Sequence, residues 1–559
     1  MASPGDTSAT FCASLVDEWA RQGVAHAVVA PGSRSTPLAV ALARDTRLRL
    51  HVFHDERSAA FAALGIGRAT GVPAVLLCTS GTAAAHFVAA VHEANLSRVP
   101  MIVCTADRPP ELRDVSAPQT IDQTKMFGDA VRWFHDPGVP AEEAAHTWRS
   151  LARRALAAST GTAPGPVHVN LPFREPLLGE AGELPPAPDA AVVTGRLAVE
   201  AGTVARLTTL TSGRRGVIVA GRGSTPGVLA LAEAAGWPVF ADAVSGLREC
   251  HPNVMVGFDP VLRSAALVAH LVPEVIVRVG DPPASKVLSQ WATGSGATIV
   301  QLRDHEQVVD PDHAVMLSVS GPVERTCGML AGSVAPADAD WLAGWMAAES
   351  AAQKAITRHT DENFVEPTVA RRVADTLSPG DNLVVSSSMP IRDLEWFGTV
   401  TPGVSVHSNR GANGIDGVVS TAVGIALATG RPTTLLIGDV AMVHDSNGMW
   451  GLSRRGVDLR IVVTNNDGGA IFSFLPQATQ VDGATFETLY GTPHGVDFAA
   501  LCAAHGIAHV VVSDRASFEA ALPGPGPRMV EVRFDRSVNV AAHDALNAAV
   551  TAAVDASTA

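Results

Sequence analysis

The 559-residue chain has no block of lysine and arginine, no long apolar run and no paired cysteines. With a formal charge of −14 and its basic residues scattered, it has little electrostatic means of holding nucleic acid or an anionic membrane. Although 47% of residues are apolar, no uninterrupted stretch approaches the roughly 20 residues that span a bilayer. The opening MASPGDTSATF lacks a basic region followed by an apolar one, so a cytoplasmic enzyme is the expectation. Cys12, Cys78, Cys104, Cys250, Cys327 and Cys502 lie far apart, without CxxC spacing or a neighbouring histidine cluster. That pattern argues against a zinc site or a disulfide scaffold and predicts free thiols in the core. The absence of GxxxxGK[ST], GxSxG and HExxH weakens NTPase and hydrolase readings.

What is present is alternation. Strand-like AHAVVAPG, LRLHVFHDE, PAVLLCTSG, VPMIVCTAD and GPVHVNLP are separated by apolar-periodic segments such as RSAAFAALGIGRAT. A second set follows in RGVIVAG, WPVFAD, EVIVRVG and ATIVQL, and a third in NLVVSSS, VSVHSNRG, TTLLIGD, LRIVVTN, AHVVVSD and RMVEVRF. The fold class is therefore α/β: three αβ domains with parallel sheets, over residues 1–180, 195–335 and 345–559. Proline-rich EPLLGEAGELPPAPDAA reads as a linker, and the small, polar SVAPADAD marks the second boundary. The first and last domains share a strand, glycine loop, helix, strand pattern: Leu76 to Ile102 and Leu435 to Ile461 are each a step of 26. Duplication and a common crossover length arising by chance both account for it.

Asp439 ends the strand-like TTLLIGD, and LRIVVTNNDGG brings Asn466 to the next loop 27 residues on, the length of one crossover. One anionic oxygen, one amide oxygen and the Gly468 carbonyl would make a sparse magnesium socket, the remaining positions going to phosphate oxygens and water. Ordinary βα loops are the bland alternative. Glu56 stands at a strand end before a helix, where an acid more often serves the helix dipole than catalysis. Ser33 and Arg34 in PGSRSTPLA, Ser388 and Arg392 in SSSMPIRD, and Arg410 and Ile415 in SNRGANGIDG fall in loops at predicted carboxyl edges. A single loop arginine is usually solvated, but three such loops suit bidentate capture of carboxylates. Gly221-Arg222-Gly223, with Asp242 after the next strand, imitates a dinucleotide fingerprint; Gly227 comes one residue late, and a structural turn in a Rossmann-like middle domain is the better reading.

APGSRSTPL, HDERSAAFAALG, TSGTAAAHFVAAVHEA, TADRPPEL, SNRGANGIDG, GDVAMVHD, NNDGGAIFSFLP and GTPHGVD together resemble the thiamin diphosphate-dependent enzymes, most closely their menaquinone-pathway branch. The resemblance covers the first and last domains by residue and the middle one by pattern. It implies a pyrimidine-binding, a central and a diphosphate-binding domain, with each cofactor held between two subunits of a homodimer or homotetramer. Glu56 matches the carboxyl group that activates the aminopyrimidine. Asp439, Asn466 and Gly468 match the ligands of Mg2+, for which Mn2+ is an expected substitute. Ile415 matches the wedge that bends the cofactor, and Ile471, Phe472 and Leu475 match an apolar substrate wall. The implied reaction is decarboxylation of 2-oxoglutarate and 1,4-addition of the succinyl unit to isochorismate. Both substrates are dicarboxylates, which accounts for Arg34, Arg392 and Arg410, while Ser33, Ser388, Gln119 and Lys286 match other polar site positions. Pro118 replaces the family's usual asparagine, and Val287 stands where many members carry a second basic residue. A carboligase of acetohydroxyacid synthase type is the alternative, distinguished by having no need of the arginine set; a noncatalytic cofactor-binding relative is disfavoured by the retention of Glu56.

Overall fold

Aliphatic and β-branched runs closed by Gly, Pro or Asp become central strands buried on both faces, as parallel sheets require, while edge strands such as Arg49–Val52 and Ala508–Val512 stay largely exposed. The computed structural model describes residues 3–188, 197–248 and 250–558; positions 189–191 of the expected linker and 195–196 of the expected central domain lie outside them. The first sheet contains β1 (His26–Val29), β2 (Arg49–Val52), β3 (Ala74–Cys78), β4 (Met101–Asp107), β5 (Phe134–His135) and β6 (Pro166–Pro172). The second contains β7 (Gly216–Ala220), β8 (Val239–Ala241), β9 (Val254–Met255), β10 (Val275–Val279), β11 (Thr298–Arg303) and β12 (Val315–Ser320). The third contains β13 (Asn382–Val385), β14 (Ser405–His407), β15 (Thr433–Gly438), β16 (Leu459–Asn465), β17 (Ala508–Val512) and β18 (Arg528–Arg533).

The first and third sheets have the same order, β2-β1-β3-β4-β6-β5 and β14-β13-β15-β16-β18-β17. In both, the chain reverses its direction of winding beside the first strand, which opens a crevice at the carboxyl ends of β1 and β3, and of β13 and β15. The middle sheet runs β12-β11-β10-β7-β8-β9, the doubly wound dinucleotide order read from the other side. Its fingerprint position is filled by the protein itself. A Cβ on Gly221 would meet the Asp281 carbonyl oxygen at 1.6 Å, and the Gly227 N–H, where a pyrophosphate would dock, donates to Glu324 Oε2 at 2.7 Å. The structural-turn reading holds.

The first and last domains are joined backbone to backbone. Helix Glu56–Thr70 lies on helix Val418–Thr429 so closely that a Cβ on Gly65 would be 2.2 Å from the Thr421 carbonyl oxygen. One on Gly424 would be 2.1 Å from that of Ala62. A single apolar core runs through the contact, from Val28 and Phe61 to Val419, Leu435 and Ile461. The last helix, Arg536–Thr558, returns to the middle domain, where Leu546, Val550 and Val554 join Trp345 and Phe258. Five cysteines are buried as expected, but Cys250 is exposed. Among the described residues no helix is long and apolar enough to cross a membrane.

Gly424→Ala tests the contact. The added methyl meets a backbone carbonyl that cannot rotate away, so a loss of about 1–3 kcal/mol is expected, read as a lower midpoint of thermal unfolding; an unchanged midpoint would show that the helices separate freely.

Candidate active site

Asp439 opens the turn after β15 and is 2% exposed. Its Oδ1 accepts the Val440 N–H at 2.7 Å, and its Oδ2 accepts the N–H groups of Asn466 at 3.1 Å and Gly468 at 2.9 Å. His494 Nε2 stands 3.3 Å from the same oxygen. His494 Nδ1 accepts the Val496 N–H at 3.0 Å, and the Asp439 carboxylate holds the imidazole above its usual range. Asn466 donates Nδ2–H to Glu366 Oε1 at 2.8 Å, and its buried Oδ1 has no hydrogen-bond partner. Burial lifts Glu366 to about 7, the Asp393 charge adding to the effect.

An orphaned buried amide oxygen beside a carboxylate is costly unless something else uses it, and a small hard cation is the natural user. The donor set therefore fits magnesium. The Gly468 carbonyl accepts one N–H, from Ala470 at 3.0 Å, and keeps its second lone pair. Gly468 has φ +144°, and a Cβ there would fall 1.9 Å from the Gly491 carbonyl oxygen. Beyond it, Phe472 packs on Tyr490 with ring centroids 5.5 Å apart, Ile471 is half-buried, and Leu475 is 40% exposed.

A second cluster is cationic. Ser388 follows β13 with φ +78°, and its carbonyl accepts the Arg392 Nη1–H at 2.6 Å. Burial and the neighbouring Arg410 hold the Arg392 guanidinium below the usual arginine range. Arg410 and Lys286 line one cavity of about 680 Å3 between the three domains. Lys286 is exposed in the first turn of helix Lys286–Gly294, whereas Val287 packs against the middle core, so no second base faces the cavity from that position.

The first domain presents its own edge. Arg34 is only 7% exposed, so the solvated-loop expectation fails for it: Nη1 donates to the Phe173 carbonyl at 3.0 Å and Nη2 to Glu175 at 3.1 Å. Ser35 occupies the N-cap position of the next helix but makes no capping bond, its Oγ donating instead to the Gly32 carbonyl at 2.9 Å. Ser33 is exposed, as is Gln119, whose φ is +52° and whose backbone lies against Gly81. Arg108, which the sequence reading did not single out, leaves β4 to donate to Ser80 Oγ. Burial and the Arg34 charge hold its guanidinium below the ordinary range, so two cations meet at this edge. Its signal was the position immediately after a strand at the edge already carrying Arg34.

Glu56 lies in the first turn of its helix, which Asp55 caps by accepting the Ser58 N–H at 3.2 Å. Among the described residues the Glu56 side chain has no hydrogen-bond or ion-pair partner, and no contact joins it to Asp439. Its neighbours bind the last domain instead, Asp55 accepting from Asn447 Nδ2 at 2.7 Å and Arg57 donating to the His444 carbonyl at 2.8 Å. Ile415 is half-buried against the core shared by the two domains.

Residues 10–126 match the family described as thiamine pyrophosphate enzyme, N-terminal TPP binding domain; 197–385 match its middle domain and 398–532 its C-terminal TPP binding domain. The chain is 41% identical to the 2-succinyl-5-enolpyruvyl-6-hydroxy-3-cyclohexene-1-carboxylate synthase of Myxococcus xanthus, covering 99% of each. It is 43% identical to that of Thermobifida fusca over 97% of this chain and 98% of the relative. For the Chloroflexus aurantiacus synthase the identity is 40%, over 95% and 94%. The chain belongs to this synthase family. It is therefore a thiamin diphosphate enzyme; β1 and β3 of the first crevice lie within the N-terminal TPP-binding match, and β15 of the second lies within the C-terminal one, β13 falling at the end of the middle match.

Gly468→Ala is expected to weaken thiamin diphosphate binding about tenfold or more, since the backbone conformation and the Gly491 contact both exclude a side chain. Calorimetric titration reads the loss, and circular dichroism checks that secondary structure is retained; wild-type affinity would show that the loop is free to rearrange.

Proposed function

We propose that the protein carries out the decarboxylation of 2-oxoglutarate and 1,4-addition of the succinyl unit to isochorismate, releasing CO2 and forming the product for which its relatives are named. The observation that carries this reading is the pairing of a magnesium-type donor set, Asp439 with the orphaned Asn466 oxygen, with a separate gathering of Arg392, Arg410 and Lys286. When bound, thiamin diphosphate supplies the electron sink for decarboxylation. Asp439, Asn466 and the Gly468 carbonyl would hold Mg2+, or Mn2+ in its place, against the diphosphate. Glu56, unpaired among the described residues, would hold a proton against the aminopyrimidine ring. Ile415 would support the bent cofactor, and Ile471, Phe472 and Leu475 would shield the reacting carbons from water.

Guanidinium groups suit carboxylates because they offer paired donors in a plane. Arg392 and Arg410, with Lys286 across the cavity and Ser388 beside them, are assigned to one dicarboxylate. Arg34, Ser33 and Gln119, joined by Arg108, are assigned to the substrate edge of the first domain. The arginine set favours this reading over an acetohydroxyacid synthase type of carboligase, whose smaller acceptors do not require it.

The isolation of Glu56 from Asp439 within a chain supports a homodimer or larger homo-oligomer in which the first domain of one subunit meets the last domain of another. Domain limits of 1–180, 195–335 and 345–559 belong to the same proposal, supported by the containment of each sheet within one of them. So does a cytoplasmic setting, in keeping with the composition.

Pure protein mixed with thiamin diphosphate, Mg2+, 2-oxoglutarate and isochorismate should give the adduct by mass spectrometry, and pyruvate should not replace 2-oxoglutarate; the opposite preference would establish the other carboligase. Glu56→Gln should keep cofactor affinity within about tenfold while lowering turnover by about two orders of magnitude or more. Near-normal turnover would remove Glu56 from the mechanism. Asp439→Ala should abolish metal-dependent cofactor binding, and an unchanged titration would contradict the clamp. Arg392→Ala with Arg410→Ala should raise KM for the dicarboxylates, and unaltered kinetics would count against the pocket.

A further inference from the structure

Asn466 can serve a cation only through one end of its amide, and the two ends are nearly identical in shape. Packing alone does not choose between them. A cation at the NH2 end would meet two hydrogens instead of a lone pair, so a half-turn about the last side-chain bond would remove the ligand without moving the backbone.

We propose that Glu366 is the positioning residue that makes this choice, accepting the Asn466 amide hydrogen so that the amide oxygen is presented to the metal. The inference rests on the reading that Asp439 and Asn466 hold that metal. Glu366 is 3% exposed and stands at the start of helix Glu366–Asp375, where the helix N-terminus favours a carboxyl group. Its Oε1 lies 2.8 Å from Asn466 Nδ2, and Asn466 is itself 9% exposed with Oδ1 left over. Flipping the amide would set two acceptor oxygens face to face and bury the freed NH2 hydrogens without a partner.

The surroundings keep Glu366 in place. Thr368 Oγ1, two residues along, accepts the Val365 N–H at 3.3 Å and donates to the Asn363 carbonyl at 2.8 Å, which fixes the start of the helix. Beside Glu366, His543 Nε2 meets Asp393 Oδ1 at 2.7 Å, and the Phe474 ring rests edge-on against His543 with centroids 5.0 Å apart. Asp393 follows Arg392, and Phe474 ends the short turn after the Asn466 loop. The orienting carboxyl thus sits in a buried layer that touches both the metal side and the cationic side of the site.

The test uses the full-length protein with saturating thiamin diphosphate and Mn2+ as the probe, free ion being followed by electron paramagnetic resonance. Glu366→Leu and Glu366→Met remove the acceptor and should raise the Mn2+ dissociation constant about 10- to 100-fold, the range for losing a group that orients a metal ligand. Glu366→Gln keeps an oxygen that can accept the same hydrogen but also adds an NH2 end that can meet a flipped amide, so its Mn2+ affinity should fall between wild type and the apolar variants. A merely structural role would not single out the acceptor. Wild-type Mn2+ affinity in whichever apolar variant folds would overturn the inference, as would a glutamine variant as weak as the apolar ones. Asp439→Ala separates the two levels of the argument: if it loses Mn2+ while the Glu366 variants do not, only the orienting role falls, whereas retention in Asp439→Ala sinks the metal reading itself.

Discussion

Contact between two backbones governs this molecule. Helices Glu56–Thr70 and Val418–Thr429 meet where Gly65 and Gly424 leave no room for a side chain, and Gly417 is seated on the Phe61 ring in the same way. Helices this close cannot slide or roll by a fraction of a turn without a carbonyl meeting an atom, so the first and last domains form one rigid body. Glu56 begins the first of these helices, and Ile415 lies just ahead of the second. The acid half and the metal half of the proposed site are therefore fixed relative to each other in every subunit. If each half completes a site with the opposite half of a second copy, one two-fold operation builds two equivalent sites at once, since an isologous interface repeats each contact with the roles exchanged.

The identical strand order of the outer domains gives them the same crevice, and the loops then diverge. At the first, strand exits supply Arg34 and Arg108; at the last, they supply Asp439 and Asn466, with Ser388 at the switch point. Parallel topology explains why all of them sit at carboxyl edges. The middle domain has the doubly wound order and would offer a third crevice, but Asp281, paired with Arg98 at 2.7 Å and Arg222 at 2.9 Å, occupies the turn. Its glycines serve close packing of chain on chain instead of a nucleotide.

Much of this was legible in the sequence because fully buried parallel strands are unbroken aliphatic runs. The strands that escaped notice were β5, β9 and β12. Two of these are only two residues long, and β12, at an edge, alternates in burial with Met316 exposed. Asp439 and Asn466 could be paired because a crossover has a characteristic length. Arg34 was harder to judge: its loop is short and polar, and its burial depends on Phe173 and Glu175, some 140 positions away. Glu366 was invisible. Nothing in EPTVARRV distinguishes an acid opening a helix from one that meets an amide 100 residues later in the chain. Spacing reveals partners within one βα unit, whereas contacts between units appear only when the sheet is assembled.

The charge distribution follows from the same assembly. A chain of net charge −14 should repel dianionic substrates at a distance, so capture depends on the local field inside the site. Burial disfavours the charge on Arg392, and the neighbouring Arg410 adds to that cost. Such a pair is held in place by the fold, through the Ser388 carbonyl and the packing of helix Met389–Phe397, and not by mutual stability. A carboxylate entering between them relieves the repulsion and gains both sets of donors in a poorly hydrated space, where each interaction is stronger than in water. A monoanionic or neutral acceptor relieves less of it. On the proposed reading, selectivity for dicarboxylates arises where the carboxylates of one ligand offset these neighbouring like charges together.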